Sequence, residues 1–384
     1  MTNMSKKDLL DEVKPRYLKS SKKEKSKVLN EFCLNTEYNR KYAINILQAR
    51  CDYHRVKREG RKKRKKTYGS ATITAIIKVW EFLEYPCGLR LKPVLLSTAE
   101  ALERFNEIQT NTAIKQDLQK ISARTLDRRL KKERQLRRLN RNRGTTRHGS
   151  LLKSSIPVRI TNWDTNQVGF MEMDTVAHNG GNPSGEHIYS LDGVEIYSGW
   201  AEQIAIMGRG EAGVVRAIDQ LKKEVPFDLL GLDSDSGGEF INYHLIKYCN
   251  KNDVLFTRSR PDRKNDNAYV EQKNYTHIRQ WLGYGRYDTI KQLELINDLY
   301  RNELRLFNNF FRPVMKILSK EKINNSVCRK KYDTAQTPYQ RLIDCPQMPT
   351  ARKKELKTIY LSLNPADLKR KIDQKIKKIR QLAK

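Results

Sequence analysis

Three acidic side chains stand in settings that suit metal-assisted chemistry on phosphodiesters. Asp174 lies near the end of an apolar, strand-like run, Gly169-Phe-Met-Glu-Met-Asp-Thr-Val176. Asp235 sits in Leu232-Asp-Ser-Asp-Ser-Gly-Gly-Glu-Phe240, and thirty-five residues separate it from Glu271 in Val270-Glu-Gln-Lys-Asn274. Three carboxylates drawn within about 4–5 Å of one another repel strongly unless cations neutralise them. An all-oxygen ligand set without Cys or His favours Mg²⁺ or Mn²⁺. Two such ions about 3.5–4 Å apart can activate a water or a 3′-hydroxyl and stabilise the leaving oxygen. The expected centre is Asp174, Asp235 and Glu271 around two divalent ions, with Asp174 as the bridge.

Neighbouring residues sharpen that reading. Asp233 competes with Asp235 from two residues away. Asp235 is preferred for its spacing to Glu271 and for Ser236-Gly-Gly-Glu239, which has the form of a capping box that starts a helix directly afterwards. Glu239 is therefore expected to cap rather than ligate. On a helix, Asn267, Glu271, Asn274 and Ile278 share a face, so Asn267 and Asn274 can reach towards the acids or towards DNA. Arg260, Arg263, Lys264 and Lys273 are expected phosphate contacts. His178, four residues past Asp174, reads as a loop residue, with orientation of water or substrate as the alternative.

The elements that must hold these acids follow in order. Strand-like runs cover Gly169–Val176, Glu186–Ile196 and Trp200–Met207, the last two separated by the hairpin signal Tyr197-Ser-Gly199. A helix over Gly210–Glu224, a strand over Phe227–Asp233, a helix over Gly238–Asn250, a strand over Val254–Arg258 and a long helix over Asn265–Tyr284 complete the set. Three hairpin-linked strands followed by alternating strands and helices make a mixed α/β sheet. This is the succession of RNase H-like cores, in which the first and fourth strands are neighbours.

The rest of the chain favours a nucleic-acid partner. A formal charge of +32 over 384 residues calls for a polyanion. No apolar run reaches the length of a membrane span, and the opening residues lack a signal-peptide core, so a soluble, cytoplasmic and nucleoid-associated protein is expected. Six scattered cysteines without a Cys-x-x-Cys pair argue against a zinc site. Residues 1–22 read as frayed or loosely helical. Two helices then flank a turn at Cys33–Thr36, with Arg40 and Lys41 exposed on the second, in the manner of a helix-turn-helix. In Arg55–Lys66, nine of twelve residues are Lys or Arg, which reads as a DNA-binding arm. A helix beginning at Ser70 is expected to end at Pro86 and Gly88, and another to run from Thr98 to Ile108. A second recognition helix follows Ser122, with Arg124, Arg128 and Arg129 outward and Leu126 and Leu130 inward. Beyond a helix over Asp288–Phe311, residues 312–350 read as an extended basic strap. The tail from Pro365 reads as an amphipathic helix for a subunit, for DNA or for its own core.

The motifs Met173-Asp174-Thr175, Asp235-Ser-Gly-Gly-Glu-Phe240, Ser259-Arg-Pro261, Asn265-Asp-Asn-Ala268 and Val270-Glu-Gln-Lys-Asn274 resemble those of integrase-type DDE transposases of bacterial insertion sequences. The resemblance is strong over roughly 168–312. It implies an RNase H-like core, divalent metal, recognition of element ends and strand transfer without a covalent enzyme–DNA intermediate. Ser236 departs from the Asn usual after the second Asp, and the zinc-binding module of retroviral integrases is absent. The expected organisation is a helix-turn-helix module with basic arm (1–66), a second helical DNA-binding module with basic linker (67–150), the integrase-like catalytic core (151–290) and a mainly helical C-terminal extension (291–384). Paired ends call for at least a dimer. The alternatives are an endonuclease that cuts without joining and an inactive or domesticated DNA-binding protein.

Overall fold

A computed structural model describes residues 3–48, 67–137, 167–234, 240, 243–258, 270, 273–324 and 327–382. The chain divides into two units, Met1–Thr67 and Tyr68–Lys384.

The first unit packs three helices, α1 (Asn3–Lys19), α2 (Lys22–Thr36) and α3 (Arg40–Gln48), around Leu10, Tyr17, Val28, Phe32, Ile46 and Leu47. The opening stretch is thus a helix rather than a frayed tail. Leu10 and Tyr17, seven apart and on one stripe with half-buried Val13, anchor it. Pro15 removes one backbone donor inside α1 without ending it. Ser21 and Glu24 form a capping box at α2, and Glu37 ends that helix in the left-handed region (φ 60°).

The second unit begins with α4 (Ser70–Phe82), α5 (Gly88–Arg104), α6 (Thr112–Lys120) and α7 (Ala123–Leu136). Gly88 opens α5 instead of closing α4, so this helix starts ten residues before the expected Thr98. The reason is proximity: a Cβ at Gly88 would lie 2.1 Å from the Ala123 carbonyl oxygen. Its N–H donates to Asp127 Oδ1 at 2.8 Å, fastening the start of α5 to α7.

The central sheet holds β1 (Phe170–Ala177), β2 (Ile188–Glu195), β3 (Ala201–Met207), β4 (Gly231–Ser234) and β5 (Leu255–Arg258) in the order β3-β2-β1-β4-β5. The first three strands are antiparallel, and β4 and β5 add in parallel. The result is a mixed α/β sheet with β1 and β4 adjacent. One face meets α8 (Glu211–Glu224), where Leu221 lies close to Gly193 and Met171. α9 (Tyr243–Lys251) follows β4 in the chain and packs on α8 and β5.

α10, a π-helical stretch Asn274–Arg279 running into Gln280–Leu282, covers the other face at β1 and β2. α11 joins Ile290–Leu299, a π-helical Tyr300–Leu304 and Arg305–Phe310 along the β3 edge. Asn309 accepts from the Ala201 N–H (2.9 Å) and donates to the Ala201 carbonyl (2.8 Å). Asn297 does the same for Ala205 (2.9 and 3.0 Å).

Residues 312–350 are structured rather than an extended strap. They form a two-stranded ribbon of β6 (Ile317–Asn324) and β7 (Val327–Tyr332), then α12 (Pro338–Asp344). α13 (Thr350–Ser362) and α14 (Pro365–Gln381) follow. The tail helix docks on its own unit. Leu368, Ile372, Ile376 and Ile379 are buried in one core with Trp80, Leu95, Ile204, Trp281 and Leu299. Lys369 pairs with Glu84 at 2.9 Å, Arg370 with Glu107 at 2.7 Å, and Arg380 donates to the Trp281 carbonyl at 2.7 Å. Among the described residues no helix is long and apolar enough to cross a membrane.

Candidate active site on the polar face of the sheet

Alternation along β1 sends Met171 and Met173 towards α8, and Glu172 and Asp174 to the opposite face, under α10. That face is polar although enclosed: Glu172, Ser190, Asp192, Gln203 and Asp233 are all buried. Buried polar groups persist only where they are hydrogen-bonded or serve a ligand.

Asp174 is half-buried. The Thr175 N–H donates to its Oδ1 at 2.7 Å, and Asn274 Nδ2 donates to its Oδ2 at 2.6 Å. The amide oxygen of Asn274 is enclosed with no hydrogen-bond partner among the described residues. Across the β1–β2 register, Asp192 stands opposite Asp174. Asp192 Oδ1 accepts from Gln203 Nε2 at 2.8 Å, and its Oδ2 has no partner among the described residues. Two carboxylates facing across neighbouring strands, beside an amide oxygen without a donor, are the oxygen-rich surroundings that a hard cation takes. Among the described residues, no group of three or more His, Cys, Asp and Glu forms a metal site.

Asp235 and Glu271 lie outside the described residues, as do Arg260, Arg263, Lys264 and Asn267. Their chain neighbours are described. Ser234 pairs with Met173 and Asp233 with Glu172 in the parallel β1–β4 register. Thr257 Oγ1 donates to Asp233 Oδ1 at 2.5 Å, so the rival of Asp235 is enclosed within the sheet. Val270 donates its N–H to Glu172 Oε2 at 3.3 Å and packs on Val194 and Ala201.

Lys273 points inward. Its Nζ lies 3.3 Å from His277 Nε2, and loss of water around the ammonium pushes its pKa down to about 7. Burial also takes His277 down to about 4. His277 Nδ1 lies 3.3 Å from Gln203 Nε2 and 3.7 Å from Asp192 Oδ1. Asn274, of the two directions open to it in the sequence, takes the one towards the acids and is bonded to Asp174.

His178 lies just past the end of β1, as a loop residue, and is fully buried. Its Nε2 lies 2.8 Å from Ser190 Oγ, which in turn meets the Tyr300 hydroxyl at 2.7 Å. Burial lowers its pKa to about 3. Of the outlying basic candidates, Arg40 and Lys41 are exposed at the start of α3, and Arg124 and Arg128 are exposed on α7. Arg129 is half-buried, with Nε enclosed and unpartnered among the described residues.

Asp192, Gln203 and His277 escape a reading based on acid spacing. A signal does exist in Ser190-Leu-Asp-Gly-Val194, where polar residues alternate inside a hydrophobic strand pattern.

No family model matches the chain. Among solved structures it is similar to the catalytic core domain of BIV integrase (18% identity, 45% of this chain and 91% of that one, TM-score 0.28). It is also similar to the HTLV-2 integrase catalytic core domain in complex with magnesium (14%, 38% and 88%, TM-score 0.28). A third is a simian T-cell lymphotropic virus intasome in complex with PP2A regulatory subunit B56 gamma (12%, 65% and 76%, TM-score 0.33). At such scores these likenesses carry no weight of their own. The chain is 32% identical over 324 residues to a protein of Sinorhizobium fredii (strain NBRC 101917 / NGR234) described as "Uncharacterized protein y4rM", a match that spans 84% of this chain and 91% of that protein. The chain belongs to the same family as y4rM.

Proposed function

We propose that the chain is a DNA transposase or integrase of the DDE type, with Asp174, Asp235 and Glu271 as its acids. The observation that carries this reading is the setting of Asp174 on the middle strand of the mixed sheet. Ser234 is in register with Met173, and Asp235 is the next residue in the chain. Lys273 and Asn274, which follow Glu271 by two and three residues, pack on the same face, and Asn274 is bonded to Asp174 itself. Asp174 and Asn274, from two separate stretches, thus meet on one face, beside the end of β4, which supports the reading.

The three acids would hold Mg²⁺ or Mn²⁺, and paired divalent ions would neutralise the carboxylates and polarise the phosphate. The chain's own groups prepare the place. Asn274 and the Thr175 N–H fix the Asp174 carboxylate. The hydrogen-bonded row of Asp192, Gln203 and His277 behind it makes a stiff floor. Element ends and target DNA are the substrates, and paired ends call for at least a dimer. The three-helix unit supports a helix-turn-helix role in binding those ends. Three residues separate α2 from α3, and Arg40, Lys41 and Asn45 are exposed on α3.

The test is a strand-cleavage and strand-transfer assay with Mg²⁺ and duplexes taken from the DNA flanking the coding region. Cleavage to a 3′-hydroxyl and joined product are expected from the wild type. Asp174→Asn and Glu271→Gln are each expected to lower both steps by about a hundredfold or more. Nicking without joining supports a plain endonuclease. Full activity in Glu271→Gln sinks the assignment of the third acid.

A further inference from the structure

We infer that the β6–β7 ribbon is a DNA-binding arm that seats on the phosphates of a duplex. The inference rests on the DNA-processing reading above and adds a contact surface to it.

Among the described strands, β6 and β7 pair only with each other. Their base is tied firmly to the core. Lys316 and Asp333 exchange backbone and side-chain bonds, the Lys316 N–H donating to Asp333 Oδ1 at 2.7 Å and the Asp333 N–H to the Lys316 carbonyl at 3.0 Å. Arg341 Nη2 reaches Asp333 Oδ2 at 2.7 Å, and Lys316 Nζ donates to the Tyr197 carbonyl at 2.7 Å. An isolated two-stranded ribbon is marginal in water. This one carries a further cost, because its antiparallel register sets Lys320 opposite Lys330. Like charges directly opposite in a ladder destabilise it. Lys322, two residues from Lys320, shares that face, and its register partner is the uncharged Cys328. The single acid of the ribbon, Glu321, falls on the other face opposite Arg329. By register, Lys320, Lys322 and Lys330 thus fall on one face, and the ribbon's own acid does not.

A polyanion removes the repulsion that the ribbon suffers alone. The DNA major groove admits a two-stranded β-ribbon, and lysines along it would meet phosphates. A second copy of this chain is the poorer fit, since lysine-bearing edges discourage strand-to-strand addition and two such faces would repel. Lys330, Lys331 and Tyr332 are exposed, so the ribbon is open at this position.

The experiment uses the full chain and a labelled random-sequence DNA duplex, with binding measured between about 50 and 200 mM salt. The combined variant Lys320→Ser, Lys322→Ser, Lys330→Ser should bind roughly ten- to a hundredfold more weakly and lose about three from the salt slope, about one per lysine. Its unfolding midpoint should stay or rise, because the opposed lysines are gone. As a readout independent of that variant, duplex added to the wild type should slow hydrogen exchange of amides in 317–324 and 327–332. Unchanged affinity and slope in the variant, with no added protection in the wild type, overturn the ribbon inference while leaving the DNA reading intact. A wild type that binds no duplex overturns both. A variant altered only in sedimentation assigns the ribbon to self-association and overturns the inference as well.

Discussion

His178 is neutral inside this fold, and that couples stability to pH. Its ordinary pKa is near 6.5, and burial takes it to about 3. Between those values the unfolded chain holds a proton that the folded chain refuses. The stability is therefore whole above about pH 6.5 and falls as pH drops through that window, by about 1.4 kcal/mol per pH unit from this group. His178→Gln should lose less stability than the wild type between pH 7 and pH 5, compared by urea unfolding at both. An identical loss in the two proteins would sink the account. At the same scale, Asp174 was legible in the sequence because an acid inside an apolar run has few structural excuses. Asp192 was not, because its partners Gln203 and His277 come from β3 and α10 and meet it only through sheet register and helix docking. Lys273 read as a phosphate contact for the same reason, and Asn274 as able to reach either the acids or DNA. Helical spacing shows that they lie near Glu271, but not that the face they share is turned towards the sheet.

At the scale of elements, the edge of β3 is closed by side chains rather than by a further strand. Asn297 and Asn309 each satisfy both backbone groups of one alanine. Twelve residues of regular α-helix turn through about 1200°, which would leave these asparagines about 120° apart around α11. The π-helical Tyr300–Leu304 between them has more residues per turn and reduces that offset. Asn309→Leu should cost about 2–4 kcal/mol by denaturant unfolding, since it strands the N–H and C=O of Ala201 away from water. Asn302→Ala, at an exposed position, should stay within about 0.5 kcal/mol of the wild type. Strand and helix succession in the core could be read from hydrophobic period alone. The start of α5 could not, since Gly88 looks like a terminator until the Ala123 carbonyl is seen against it. The ribbon could not either, because lysines at alternate positions hide the period of two.

At the scale of the molecule, α4 to α7 before the sheet and the helices after it belong to one core. Trp281 shows how. It is buried at the end of α10, with Lys369 over its ring and Arg380 on its carbonyl. A chain ending at Asn364 should expose this surface, bind hydrophobic dye and lose cooperative unfolding. A chain beginning at Tyr68 should keep the unfolding midpoint of the 68–384 unit, because the three-helix unit has its own core. Calorimetry of both truncations checks the pair. Equal damage from the two would contradict the division of the chain into these units. The amphipathic pattern of α14 was plain in the sequence, but a pattern does not name the surface it will cover.

The clamp of α14 on α10 also has a consequence for the order of synthesis. Trp281 leaves the ribosome about a hundred residues before Arg380, which at roughly 5–20 residues per second is a wait of about 5–20 s. During that interval α10 has its sheet but not its outer support. A growing chain, still attached to its message, therefore carries α10 before it carries the helix that braces it, and this core closes only when translation has passed the tail helix.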